Sequence, residues 1–91
     1  MPGVEIYTWQ DCPYCNRAKE ILDKYHVKYT EYKIDNNEAA REHMSHRCDG
    51  RRSVPQILKD DEPLGGCYFL RDLEEIGGVG EVFADYVVDN L

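Results

Sequence analysis

The sequence predicts an α/β domain in which a four-stranded mixed sheet is covered by helices on both faces. Three observations predict it. An alternating apolar segment, an amphipathic helical segment and a second β-rich segment occupy the first 34 residues, an order that implies a right-handed crossover and a parallel strand pair. Pro55 to Leu64 then reads as a hairpin. Helical spacing returns after Gly65-Gly66. With 91 residues, 42% of them hydrophobic and only 7 Gly and 4 Pro, the chain can build one core and reads as a single domain over residues 1–91.

The elements follow in order. Val4, Ile6 and Thr8 alternate with Glu5 and Tyr7 after Gly3, the pattern of a half-buried first strand. Pro13 stands where a helix can begin, because the first helical position needs no amide hydrogen. Tyr14, Ala18, Ile21, Leu22 and Tyr25 give residues 13–25 one apolar face. Tyr29 to Ile34 reads as the second strand. Asp35-Asn36-Asn37 supplies N-cap chemistry for a helix over about 38–48, with Ala40, Met44 and Cys48 on one face.

Pro55 to Lys59 reads as the third strand, Asp60-Asp61-Glu62 as an acidic turn and Pro63-Leu64 as a short fourth strand. Leu70, Leu73 and Ile76 carry helical spacing through residues 67–76, and Gly77-Gly78 ends that helix. Val79, Val82, Phe83, Tyr86 and Val87 are read as one last amphipathic helix. Gly77-Gly78-Val79-Gly80 has no strand before it and no Lys-Ser/Thr after it, so it reads as a turn between helices and not as a phosphate loop.

Charge excludes several functions. The net charge is −7, and the excess is local: residues 60–91 hold nine acids against Arg71 alone. Nucleic acid and anionic membrane surfaces reward basic patches, so neither is an expected partner. No apolar run approaches the roughly 20 residues of a membrane span, and residues 1–3 lead straight into the first strand with no secretory pattern. The expected location is the cytoplasm.

The chemistry concentrates in Cys12-Pro13-Tyr14-Cys15. A strand delivers Cys12 to the start of the first helix, where unpaired amides and the positive end of the helix dipole favour a thiolate. Cys12 is therefore the candidate nucleophile. Cys15 lies about one turn deeper on the same face and is the candidate resolving thiol. Pro13 stiffens the turn between them. A Cys-x-x-Cys pair can also be half of a zinc site, with Cys48 and Cys67 as the remaining ligands. Structural zinc pairs usually recur as two short spacings, whereas 32 residues separate Cys15 from Cys48 and 18 separate Cys48 from Cys67. Cys48, on the apolar face of its helix, reads as core.

Ile6-Tyr7-Thr8, Cys12-Pro13-Tyr14-Cys15, Ser53-Val54-Pro55-Gln56 and Gly65-Gly66-Cys67, in that order, make the chain resemble a dithiol glutaredoxin of the thioredoxin superfamily. The resemblance implies a thioredoxin-like fold, a cis peptide before Pro55 and a glutathione groove beside Cys12. It implies that Val54 and Pro55 meet the cysteine portion of glutathione and that the amides after Gly66, at Cys67, meet the γ-glutamyl carboxylate. Arg51 and Gln56 resemble the positions that hold the glycine carboxylate, and Tyr14 flanks the reacting sulfurs.

Three positions depart from the family pattern. Trp9 stands where a lysine is common, Asp11 directly precedes Cys12, and Tyr68-Phe69 replace two aspartates, leaving Asp72 as the candidate to hold the amino group of glutathione. The implied activity is reduction of glutathione mixed disulfides and protein disulfides by a monomer. Its partners are then glutathione and glutathionylated or disulfide-containing proteins, with glutathione as reducing co-substrate and no metal or organic cofactor. The alternatives are a thioredoxin-like electron donor reduced by a flavoprotein reductase, a glutaredoxin that binds an iron-sulfur cluster, and a zinc-binding structural module.

Overall fold

The structure is a computed structural model that describes residues 3–88. Its elements run β1 (Val4–Thr8), α1 (Pro13–Lys24), β2 (Tyr29–Lys33), α2 (Glu38–Arg47), β3 (Gln56–Lys59), β4 (Glu62–Gly65), α3 (Cys67–Glu75) and α4 (Val79–Val82), followed by a 3-10 turn at Ala84–Tyr86. The sheet order is β2-β1-β3-β4, with β1 parallel to β2 and antiparallel to β3, and β3 antiparallel to β4. This is the mixed four-stranded sheet the sequence predicts. No helix among the described residues is long and apolar enough to cross a membrane.

Local chemistry explains where the elements start and turn. The Asn37 side chain accepts the Ala40 amide at 3.0 Å and caps α2, as the Asp-Asn-Asn run predicts. The hairpin between β3 and β4 turns on Asp60 and Asp61 alone, both left-handed (φ 51° and 68°), while Glu62 belongs to β4. Two consecutive left-handed residues match the right-handed twist of the flanking strands, and Asp tolerates that conformation better than most side chains.

The helices divide between the two faces. Ala18, Ile21 and Leu22 of α1, Leu70 of α3 and Val79 of α4 pack with Val4, Ile6, Ile57 and Phe83 on one face. Met44 of α2 and the adjoining Cys48 pack with Tyr7, Ile34 and Leu58 on the other. Each large apolar side chain buried in this way is worth about 1.5–3 kcal/mol over leaving it in water. Cys48 is fully buried, the core placement expected for it.

Two expectations need correction. The first strand is buried at all five positions, not at alternate ones. Partners on both edges and helices over both faces leave it no solvated side. Glu5 is accommodated there by Arg47, whose two terminal nitrogens lie 2.8 and 3.0 Å from its carboxylate, and by the Tyr32 hydroxyl, which donates at 2.9 Å. Arg47 holds the Glu5 carboxyl below its ordinary value.

The last apolar run is also not one helix. It breaks at Phe83, which caps α4 and is fully buried, and the chain leaves the 3-10 turn to pair with the segment after α1. Lys28 N–H donates to the Tyr86 carbonyl and Val88 N–H to the His26 carbonyl, both at 2.8 Å, around a Val27–Val87 bridge.

Candidate active site

Four residues, Trp9 to Cys12, carry the chain from β1 to α1. The Gln10 amide donates to the Asp35 carboxylate at 2.7 Å, and Asp11 turns the backbone through a left-handed conformation (φ 58°) immediately before Cys12. Cys12 is the N-cap of α1, with extended backbone angles, and Pro13 follows at the helix start. A cap side chain accepts a hydrogen bond from the first turn, and here the acceptor is sulfur: the Cys15 amide donates to Cys12 Sγ at 3.1 Å. This donor geometry suits an anionic sulfur.

All four cysteines are free thiols. Cys12 keeps 6% of its surface in solvent and Cys15 none, so an incoming disulfide meets Cys12 first. Burial, and next the hydrogen bond with Cys12, push the Cys15 thiol up to about 12. Cys15 is thus a thiol at neutral pH, the resting state expected of a resolving group. Among the described residues no three His, Cys, Asp or Glu side chains gather as a metal site, and Cys48 lies across the sheet from α1.

A groove of about 410 Å³ brings together Tyr14, Arg51, Val54, Pro55, Gln56, Gly66 and Cys67; Cys12 is not itself in the lining, and Tyr14, two residues on, joins it to the groove. The peptide between Val54 and Pro55 is cis, as the resemblance implies. Gly66 is required where the start of α3 approaches β3, because a Cβ there would stand 2.9 Å from the Pro55 carbonyl oxygen. Arg51 Nε donates to the Cys48 carbonyl at 3.1 Å, which anchors the guanidinium at one end of the groove. The amide nitrogen of buried Gln56 donates to the Ser53 carbonyl at 3.0 Å, and Gln56 Oε1, also buried, has no partner among the described residues. Such an orphan acceptor is uncommon in a folded protein.

Asp72 is not brought into the groove. Its carboxylate accepts from Arg71 Nε and a terminal nitrogen at 3.2 and 3.1 Å, on the outer side of α3. Two further residues line the groove, Ser53 and Tyr68, which the sequence reading names without assigning them to it. Ser53 sits inside a motif already singled out, and Tyr68 is the residue after Cys67, so position relative to Gly66 was the available signal. The Tyr14 and Tyr68 rings lie 6.1 Å apart and form an exposed wall, and Tyr68 raises the Tyr14 phenol above its ordinary value through their hydrogen bond. Outside the groove, the Arg41 guanidinium lies 4.7 Å over the Trp9 ring.

A larger cavity of about 800 Å³ lies under α2, lined by Glu5, Tyr7, Tyr32 and Arg47 among others. It holds no cysteine, and its Glu5–Arg47 centre is internally paired.

A cysteine that caps a helix at the end of a central strand, with a second buried thiol one turn on and a groove joined to it through Tyr14, defines a thiol–disulfide oxidoreductase of thioredoxin-like fold. The family model that matches, over residues 4–64, is glutaredoxin. The chain is 49% identical over 81 residues to a probable glutaredoxin of Synechocystis sp., covering 89% of this chain and 74% of that protein. It is 48% identical over 79 residues to glutaredoxin 3 of Escherichia coli, covering 87% and 94%. The solution structure of glutaredoxin from Brucella melitensis matches with a TM-score of 0.76 at 35% identity, over 91% of this chain and 89% of that one. The chain belongs to the glutaredoxin family, and its activity is glutathione-dependent thiol–disulfide oxidoreduction.

Proposed function

We propose that the chain works as a dithiol glutaredoxin, with Cys12 attacking and Cys15 resolving. Cys12 thiolate attacks the glutathione sulfur of a mixed disulfide, the partner thiolate leaves, and the glutathione stays on Cys12. A second glutathione thiolate then attacks that sulfur and departs as glutathione disulfide, which restores Cys12. On a protein disulfide, Cys15 instead displaces the bound substrate and closes a Cys12–Cys15 disulfide, which two glutathiones reopen. The observation that carries this reading is the pairing of an N-capping sulfur, bonded to the Cys15 amide at 3.1 Å, with a fully buried second thiol.

Glutathione fits the groove by its charges. It has a carboxylate at each end, and the groove has Arg51 at one end and the opening amides of α3 at the other. Relatives of known structure include a buckwheat glutaredoxin–glutathione complex, which supports the same occupant here. The cycle needs glutathione as reducing co-substrate and no metal or organic cofactor. In this reading the chain acts as a monomer. Glutathionylated and disulfide-containing proteins are the macromolecular substrates. The cytoplasm, where glutathione keeps thiols reduced, is the compartment the cycle requires.

The test is a coupled assay on a small glutathione mixed disulfide with glutathione, glutathione reductase and NADPH, beside a parallel reaction with thioredoxin reductase and NADPH alone. The proposal expects NADPH consumption in the first. Turnover only in the second would show a thioredoxin-like electron donor.

A further inference from the structure

The groove differs in charge from the rest of the chain. The protein carries −7, yet among the described residues no Asp or Glu lines the groove, and the one charged residue in its lining is Arg51. At the opposite end the first turn of α3 has no side-chain cap, and its outer wall is the Tyr68 ring. Arg71, one turn on, holds its guanidinium 4.6 Å over that ring. Asp72 is already engaged by Arg71 and stands outside the groove.

Set glutathione against this pattern, on the reading that it occupies the groove. Its two carboxylates meet a guanidinium and a helix start. Its one ammonium lies on the same carbon as the γ-glutamyl carboxylate, so it falls beside Tyr68, where the lining among the described residues offers no carboxylate and the Arg71 guanidinium lies over the ring. An ammonium gains a strong bond only from a charged acceptor, and a like charge nearby opposes it.

We propose that Tyr68, with Arg71 stacked on it, makes this groove choose disulfides by the carboxylates at their two ends and not by the γ-glutamyl ammonium. The chain then accepts mixed disulfides of carboxylate-bearing thiols that lack that amino group as readily as those of glutathione. Tyr68 and Arg71 are specificity-determining residues. The chemistry is unchanged: Cys12 forms a bond to the peptide sulfur, and the other thiolate leaves with the electron pair.

The test is a single-turnover measurement on the full reduced chain with three chromogenic mixed disulfides, each releasing the same aryl thiolate. One carries glutathione, one its des-amino analogue with glutarate in place of γ-glutamate, and one the des-carboxy analogue that keeps the amino group. The des-amino compound should react within about threefold of glutathione, and the des-carboxy compound should be slower by about tenfold or more, the scale of a hydrogen bond to a charged group. A loss of threefold or more for the des-amino compound, or none for the des-carboxy compound, overturns the inference and leaves glutathione use intact. No thiolate release from any of the three removes glutathione use as well. Tyr68→Asp, at an exposed position, should raise the preference for the amino-bearing disulfide by about tenfold. An unchanged ratio denies Tyr68 this role.

Discussion

Cys12→Ser abolishes glutathione-dependent reduction of both small mixed disulfides and protein disulfides, by at least on the order of 10³-fold in kcat/KM. The size of the loss follows from the chemistry. A serine hydroxyl stays protonated at neutral pH and forms no sulfur–sulfur bond, so neither route has a first step. No other sulfur is placed to replace it. Burial raises the thiols of both Cys48 and Cys67, and Cys48 is fully enclosed on the α2 side of the sheet. Cys67 lines the groove but is not bonded to a helix-start amide as Cys12 is. The coupled assay measures this directly, and activity within tenfold of the wild type would refute the role of Cys12.

Cys15→Ser separates the two routes. The variant keeps turnover on a glutathione mixed disulfide, because glutathione itself frees Cys12, and loses protein-disulfide reduction by on the order of 10²-fold or more, since the substrate is no longer displaced internally. The wild-type resolving step also has a defined pH dependence. With Cys15 pushed up to about 12, its thiolate is scarce at pH 7 and grows tenfold per pH unit, so disulfide closure accelerates as pH rises. Part of the upward push comes from Cys12 itself, and it is relieved once that sulfur is bonded to glutathione. Burial remains, so the rise with pH survives in the mixed disulfide. Rapid-quench measurement of closure between pH 6 and 9 checks it. A flat profile, or protein-disulfide reduction unaffected by Cys15→Ser, contradicts the resolving role.

Much of this was legible because the signals are local. Pro13 at a helix start, Asn37 as a cap, Asp60-Asp61 as a turn and the apolar faces of α1 and α3 each depend on neighbours within a few residues. The order of the cysteine, Val54-Pro55 and Gly65-Gly66 segments located the groove. What escaped depends on contacts distant in sequence. Val79 to Val87 has helical periodicity, but pairing of Val87 with Val27, 60 positions earlier by subtraction, draws the chain out of a helix. Glu5 looked solvated because its partner Arg47 lies 42 residues away. Tyr68 was visible as a substitution, yet only the fold shows Arg71 lying on its ring and Asp72 paired with Arg71 outside the groove.

The central claim is that the sulfur capping α1 is the one that takes up glutathione. The most direct measurement mixes the reduced Cys15→Ser variant with one equivalent of glutathione disulfide at pH 7, quenches with acid and locates the adduct by peptide mass spectrometry. A single glutathione on Cys12, formed before any on Cys48 or Cys67, is the predicted result. Glutathione appearing first on Cys67, or at equal rates on all three cysteines, would contradict it.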